Sequence, residues 1–343
     1  MSSYLFMRDF KIHENLIKSK LITNVDKTNT KFILVSQLMF DCINMQHTRF
    51  EVVIFYFIAL ITKVQVSSEK LPIVLWHGMG DTCCFPFSLG GVTKFLESEI
   101  NVYVKSIEIG NSITEDFKSG YLIHPNQQVN MVCEDLSADA QLKGGFNAIG
   151  FSQGSQFLRA LVQRCSTLRI HNLITLGGQH QGVFGLPNCP SISSRTCERF
   201  RLLLNYAAYT DLMQNFLVQA TYWHDPLNES KYRTSSTFLA DINNEQFINK
   251  TYVKNLQKLN KFVMVQFNND SIVQPLQTQW FGYYKPGQDK EIQGLKETNI
   301  YIEDRLGLKK MDDQNKIVFL ECEGNHLQFT KEWFRENLFS FLK

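Results

Sequence analysis

Phe146-Asn147-Ala148-Ile149-Gly150-Phe151-Ser152-Gln153-Gly154 decides how this chain is read: a strand-like apolar run ends in Gly-x-Ser-x-Gly and opens directly into a helical pattern. The flanking glycines allow close backbone approach, so the serine between them can turn its hydroxyl outward from the end of a strand. A nucleophile needs that exposure. The five-residue pattern also recurs by chance, and its weight rests on partners further along the chain.

Outward from this point the chain alternates. Residues 155–165 carry Phe157, Leu158, Leu161 and Val162 at the spacing of a helix's inner face, and 172–176 is a strand ended by Gly177-Gly178. Upstream, the apolar run 71–76 leads into the loop His77-Gly78-Met79-Gly80-Asp81; 102–109 reads as a strand and 127–142 as a helix. Strands recur at 261–267 and 316–320, before an amphipathic helix at 332–342. This order predicts an α/β protein of the α/β-hydrolase fold, a mostly parallel sheet with helices on both faces. Between about 177 and 260 the alternation breaks: Cys189 and Cys197 bracket a loop containing Pro and Ser, 199–222 reads as helix, and Trp223-His224-Asp225-Pro226 is irregular. This segment is expected to be an insertion subdomain over the active site.

Acyl transfer by serine needs a base for its proton, a carboxylate to orient the base, and donors for the oxyanion. In the α/β-hydrolase order these follow as Ser, Asp or Glu, then His, each after a strand. Asp270 follows the strand 261–267, and His326 follows 316–320. The backbone N–H of Gln153, next to the nucleophile, and that of Met79, in the early His-Gly loop, are the expected oxyanion donors. His77 is read as shaping that loop. His180 and His224 belong to the insertion, where lining a pocket and lying on a polar surface are both open.

Among 343 residues, Lys and Arg number 35 against 33 Asp and Glu. Residues 1–66 hold 8 of those bases and 5 of those acids, leaving 27 against 28 in the remainder. So balanced a body points to neither nucleic acid nor an anionic membrane as partner. The ten apolar residues 52–61, between Arg49 and Lys63, are too few to span a bilayer, which takes about 20, and suit a signal-peptide core with Ser67-Ser68 near its cleavage site. Met45 would start that signal peptide, so 1–44 is expected to be an upstream extension, 45–66 the signal peptide and 67–343 the catalytic domain. Of the eight cysteines, Cys42 leaves with the leader and seven remain, an odd number; Cys322 is the candidate for the unpaired one. No Cys-x-x-Cys occurs and no metal site or cofactor is expected. The sequons at Asn228, Asn249 and Asn269 are candidate glycosylation sites that agree with secretory transit.

Several longer runs, Trp76-His77-Gly78-Met79-Gly80-Asp81, the serine pentapeptide, 177–185, Tyr222-Trp223-His224-Asp225-Pro226 and Asp304-Arg305-Leu306-Gly307-Leu308, together resemble the lysosomal palmitoyl-protein thioesterases over about 71–342. The resemblance implies a hydrolase that removes thioester-linked fatty acyl groups, chiefly palmitate, from protein cysteines in lysosomal degradation. It places the triad on Ser152, Asp270 and His326. It also implies disulfides Cys83–Cys84, Cys133–Cys165 and Cys189–Cys197. S-acylated proteins, peptides or acyl thioesters are then the partners, and a monomer or weak oligomer in the lysosome or secreted is expected. Met79, Leu212, Phe216, Trp223, Ile272 and Val273 are the candidate lining of an acyl groove. A broader lipase or carboxylesterase acting on oxygen esters is the alternative reading.

Overall fold

The computed structural model describes residues 70–185 and 206–342. The apolar run 52–61, Met45 and the Cys189–Cys197 pair lie outside the described residues. Six strands, β1 (Ile73–Trp76), β2 (Val104–Ser106), β3 (Phe146–Phe151), β4 (Ile170–Leu176), β5 (Lys261–Phe267) and β8 (Ile317–Cys322), form one sheet in the order β2-β1-β3-β4-β5-β8, and β6 (Tyr283–Tyr284) and β7 (Ile292–Gln293) form a separate pair. Every pairing in the six-stranded sheet is parallel. This is the α/β-hydrolase arrangement. Parallel strands need crossovers, which cover both faces, so strands such as Phe262-Val263-Met264-Val265 are apolar without alternation.

Successive side chains feed opposite faces. Val74, Trp76, Phe146, Ala148, Leu173, Phe262 and Met264 join one buried cluster with helices α3 (Pro125–Ala138) and α4 (Gln153–Arg164). Ile73, Leu75, Ile149, Phe151, Val263 and Val265 join the other, packed against α1 (Leu89–Ile100) and the helix Lys331–Leu338. All eleven residues from Gln153 to Gln163 in α4 are buried, because this helix lies between the sheet and the insertion.

Strand β2 is shorter than the expected 102–109. It is an edge strand bonded only to β1; past Ser106 the Ile107 amide still donates to Leu75 O, but the Ile109 amide turns away to Asp116 Oδ1. The single helix expected over 199–222 is, in its described part, broken into α5 (Asp211–Phe216) and a 3-10 turn Val218–Tyr222. Thr210 caps α5, Leu217 is extended, and buried Gln214 donates to Ala208 O and Ala220 O, closing the segment on itself. The insertion continues with α6 (Glu229–Ser235), α7 (Leu239–Ile242) and α8 (Lys250–Leu256). Asn228 and Asn249 cap α6 and α8.

Arg159 of α4 ties this insertion to the sheet. It is fully buried and donates to Ile242 O at 3.0 Å, His180 O at 3.1 Å and Asn243 Oδ1 at 2.8 Å, with its guanidinium 5.1 Å from the Phe281 ring centre. Burial pushes its pKa down to about 9. Cys83–Cys84 and Cys133–Cys165 are both disulfide-bonded, and Cys322 is free and buried. Burial, with Glu323 beside it, pushes the Cys322 thiol up to about 11.

Candidate active site

Ser152 sits between the last residue of β3 and the first of α4, at φ 51°, ψ −122°. A non-glycine residue rarely holds a positive φ, and the surroundings enforce it here. The Ser152 amide donates to Leu176 O at 2.8 Å, and Ser155 Oγ donates to Gly150 O at 2.8 Å. Neither glycine of the pentapeptide has room for a side chain: a Cβ on Gly150 would stand 2.5 Å from Ser155 Cα, and one on Gly154 2.4 Å from Trp76 O.

His326 and Asp270 reach the serine from loops after β8 and β5. His326 Nε2 is 2.9 Å from Ser152 Oγ, and its Nδ1 is 2.6 Å from Asp270 Oδ2. The carboxylate accepts, so Nδ1 carries the proton and Nε2 is left to accept from the serine hydroxyl. Asp270 is buried, and its Oδ1 accepts the amides of Ile272 and Val273, both at 2.8 Å. Two polar residues that carry no motif complete the arrangement. Asn325 Oδ1 accepts Ser271 N, Ser271 Oγ and His326 N, so one side chain joins the two loops. Buried Gln279 donates through Nε2 to Asp270 Oδ2 at 2.9 Å.

On the other side lies the loop after β1. His77 is buried; its Nδ1 is 2.8 Å from Gly78 O and its Nε2 3.1 Å from Asp116 Oδ1. Both partners are acceptors, so the ring satisfies both only in its imidazolium form, with each nitrogen donating. Asp116, in α2 (Ile113–Leu122), also receives the amides of Ile109 and Cys83. Burial works against the His77 charge, but the hydrogen bond and charge of Asp116, the Gly78 carbonyl and Asp81 outweigh it, raising the pKa above 6.5. The stability this pair adds is fully present below about pH 6.5 and is lost as pH rises through the raised value. His77→Asn should therefore lower the melting temperature more at about pH 5.5 than at about pH 9. An equal loss at both would mean the pair carries no charge.

Gln153 holds the elbow to the neighbouring segments, its Nε2 donating to Gly120 O at 3.0 Å and its Oε1 accepting from Tyr222 at 3.3 Å. Gln219 donates to Met79 Sδ and to Gly120 O. The sequence expectation left His180 and His224 between pocket and surface, and both are buried. His180 stacks on Phe281; burial, then Arg159, holds its pKa well below 6.5. His224 lies between Tyr232 and Tyr283. Of the acyl-groove candidates, Met79, Leu212 and Phe216 are exposed, Ile272 is half-buried, and Trp223 and Val273 are buried, Trp223 against Phe184. Asn228, Asn249 and Asn269 are all exposed.

The arrangement is that of a serine hydrolase, and the comparisons agree. A family model described as palmitoyl protein thioesterase matches residues 72–326. Palmitoyl-protein thioesterase 1 of Caenorhabditis elegans is 47% identical over 266 residues, covering 77% of this chain and 89% of the relative. Palmitoyl-protein thioesterase 3 of Dictyostelium discoideum is 34% identical, over 77% of this chain and 87% of its own length. Lysosomal thioesterase PPT2 homolog of Drosophila melanogaster is 27% identical, over 77% and 88% respectively.

Proposed function

Because this chain belongs to the palmitoyl protein thioesterase family, we propose that it hydrolyses the thioester of long-chain S-acylated proteins and peptides with Ser152 as nucleophile, His326 as base and Asp270 as its orienting carboxylate. The observation that carries this reading is the continuous relay of 2.9 Å and 2.6 Å from Ser152 Oγ through His326 to Asp270. As His326 Nε2 takes the hydroxyl proton, Oγ attacks the thioester carbonyl. The Met79 and Gln153 amides hold the oxyanion. The His77 contact supports the first of these: it pins Gly78 O, and in a trans peptide the next N–H leaves the same plane on the opposite side. The C–S bond then breaks, the thiolate leaves with the proton from His326, and an acyl-serine remains. Water, deprotonated by the same imidazole, releases the fatty acid and restores the serine.

Each buried methylene of the acyl chain contributes about 0.8 kcal/mol, so a palmitoyl group brings ample binding energy to an apolar groove. Met79, Leu212, Phe216, Trp223, Ile272 and Val273 are its proposed lining. The exposure of Asn228, Asn249 and Asn269 suits glycan acceptors and, with the apolar run 52–61, supports a secreted or lysosomal enzyme. The deciding experiment measures thiol release from an S-palmitoyl-cysteinyl peptide beside the matched oxygen ester, and maps fluorophosphonate labelling by mass spectrometry. Thiol release faster than ester cleavage, with label on Ser152, is expected. Faster cleavage of the oxygen ester would make it a general esterase, and a label on another residue would remove Ser152 from the mechanism.

A further inference from the structure

Asp270 Oδ2 has two claimants, His326 Nδ1 at 2.6 Å and Gln279 Nε2 at 2.9 Å. The orientation of the Gln279 amide follows from its other bond. The Phe267 amide donates to Gln279 Oε1 at 2.9 Å, so the oxygen must face Phe267 and the NH2 must face the carboxylate. Gln279 is fully buried, on the 3-10 turn Leu276–Trp280, and cannot exchange these bonds for water. With Ile272 and Val273 on Oδ1, the carboxylate has four donors, three of them neutral amides.

We propose that Gln279 is a positioning residue that sets the acid end of the enzyme's working range. A carboxylate oxygen that already accepts a hydrogen bond has less charge to offer a second donor. Gln279 therefore weakens the pull of Asp270 on an imidazolium at His326. The imidazole stays neutral, and able to take the Ser152 proton, to lower pH than an unshared carboxylate would allow. The charged and titratable groups on the surrounding elements do not take over this role. Glu321 and Glu323, on and after β8, bond to the Asn268 side chain, and the Cys322 thiol donates to Glu323 O and Gln328 O. His180 lies against Phe281 and Thr175, Arg159 is held by Ile242, His180 and Asn243, and His77 is bonded to Asp116.

This inference rests on the triad reading above, and its test separates the two. The pH dependence of kcat/KM on an S-palmitoyl-cysteinyl peptide would be measured for the full chain and for Gln279→Met and Gln279→Glu, each also labelled with a fluorophosphonate. Gln279→Met withdraws the donor. Its acid limb should move up by about one pH unit, lowering kcat/KM on that limb about tenfold while the plateau near neutrality holds within about twofold. Gln279→Glu keeps an acceptor for Phe267, and in its protonated form offers a donor to Oδ2, so its acid limb should stay close to the parent's. Gln279→Asn, one methylene too short to reach Oδ2, is the second test of the withdrawn donor if the Met variant does not fold, and predicts the same upward shift. A uniform fall in kcat/KM with the limb unmoved, or a limb equally displaced in the Glu and Met variants, overturns the proposal. If Ser152 of the parent takes no label, the triad reading itself fails; label on Ser152 with an unmoved limb removes Gln279 alone.

Discussion

Ser152→Ala is expected to lower kcat for S-palmitoyl-cysteine hydrolysis by about 100,000-fold, with KM nearly unchanged. The substitution removes one oxygen from a site whose other parts persist. His326 keeps its bond to Asp270, and the backbone of the elbow is still held by Leu176 O. Binding of the acyl chain should therefore survive while the chemistry does not, which is the pattern of an interaction made only on the way to the transition state. His326→Ala should cost nearly as much, and the double variant little more than either alone, since nucleophile and base act as one unit. Steady-state kinetics on the three variants, with fluorophosphonate labelling, provides the measurement. A Ser152→Ala protein retaining a tenth or more of the parent rate, by any order-of-magnitude standard, would exclude the acyl-serine route.

Arg159→Leu should destabilise the fold by about 3 kcal/mol, a large loss for one substitution. Leucine fills much of the volume but donates nothing: Asn243 Oδ1 is left without a donor, while Ile242 O keeps only Gln163 Nε2 and His180 O only Asn243 Nδ2. Arg159→Lys should recover little of this, since an ammonium cannot spread over three acceptors as the planar guanidinium does. Urea unfolding gives the comparison directly, read as a lower midpoint at unchanged slope. A loss under about 1 kcal/mol would mean water takes over the three bonds. Activity should fall with stability, because this side chain joins α4, which begins next to Ser152, to the insertion.

That Ser152, Asp270 and His326 would meet was legible in the sequence because each stands at or shortly after the end of a strand, and parallel strands bring their carboxyl ends to one edge. Strand 261–267 was read to the residue because it is internal and apolar on both faces. At the sheet's edge 102–109 shrank to Val104–Ser106, since the same apolar residues can serve a turn when Asp116 takes the Ile109 amide. Gln279, Asn325 and Asp116 gave no signal. Each is an ordinary polar residue whose role arises from bonds across the fold, such as Asn325 to Ser271, 54 positions away, or Asp116 to Cys83, 33 away. The short helices of the insertion were hidden for a related reason: Thr210, Asn228 and Asn249 cap helices here, and in sequence such residues signal turns equally well.

The positive φ of Ser152 places function and folding in opposition at a single residue. A serine held there costs about 1–3 kcal/mol that glycine would not, so the proposed nucleophile is a poor choice for its own backbone. A lineage freed from the need to cleave acyl groups would gain stability by exchanging this serine for glycine. The turn is thus a place where the side chain that the proposed chemistry needs and the residue that the backbone prefers are different.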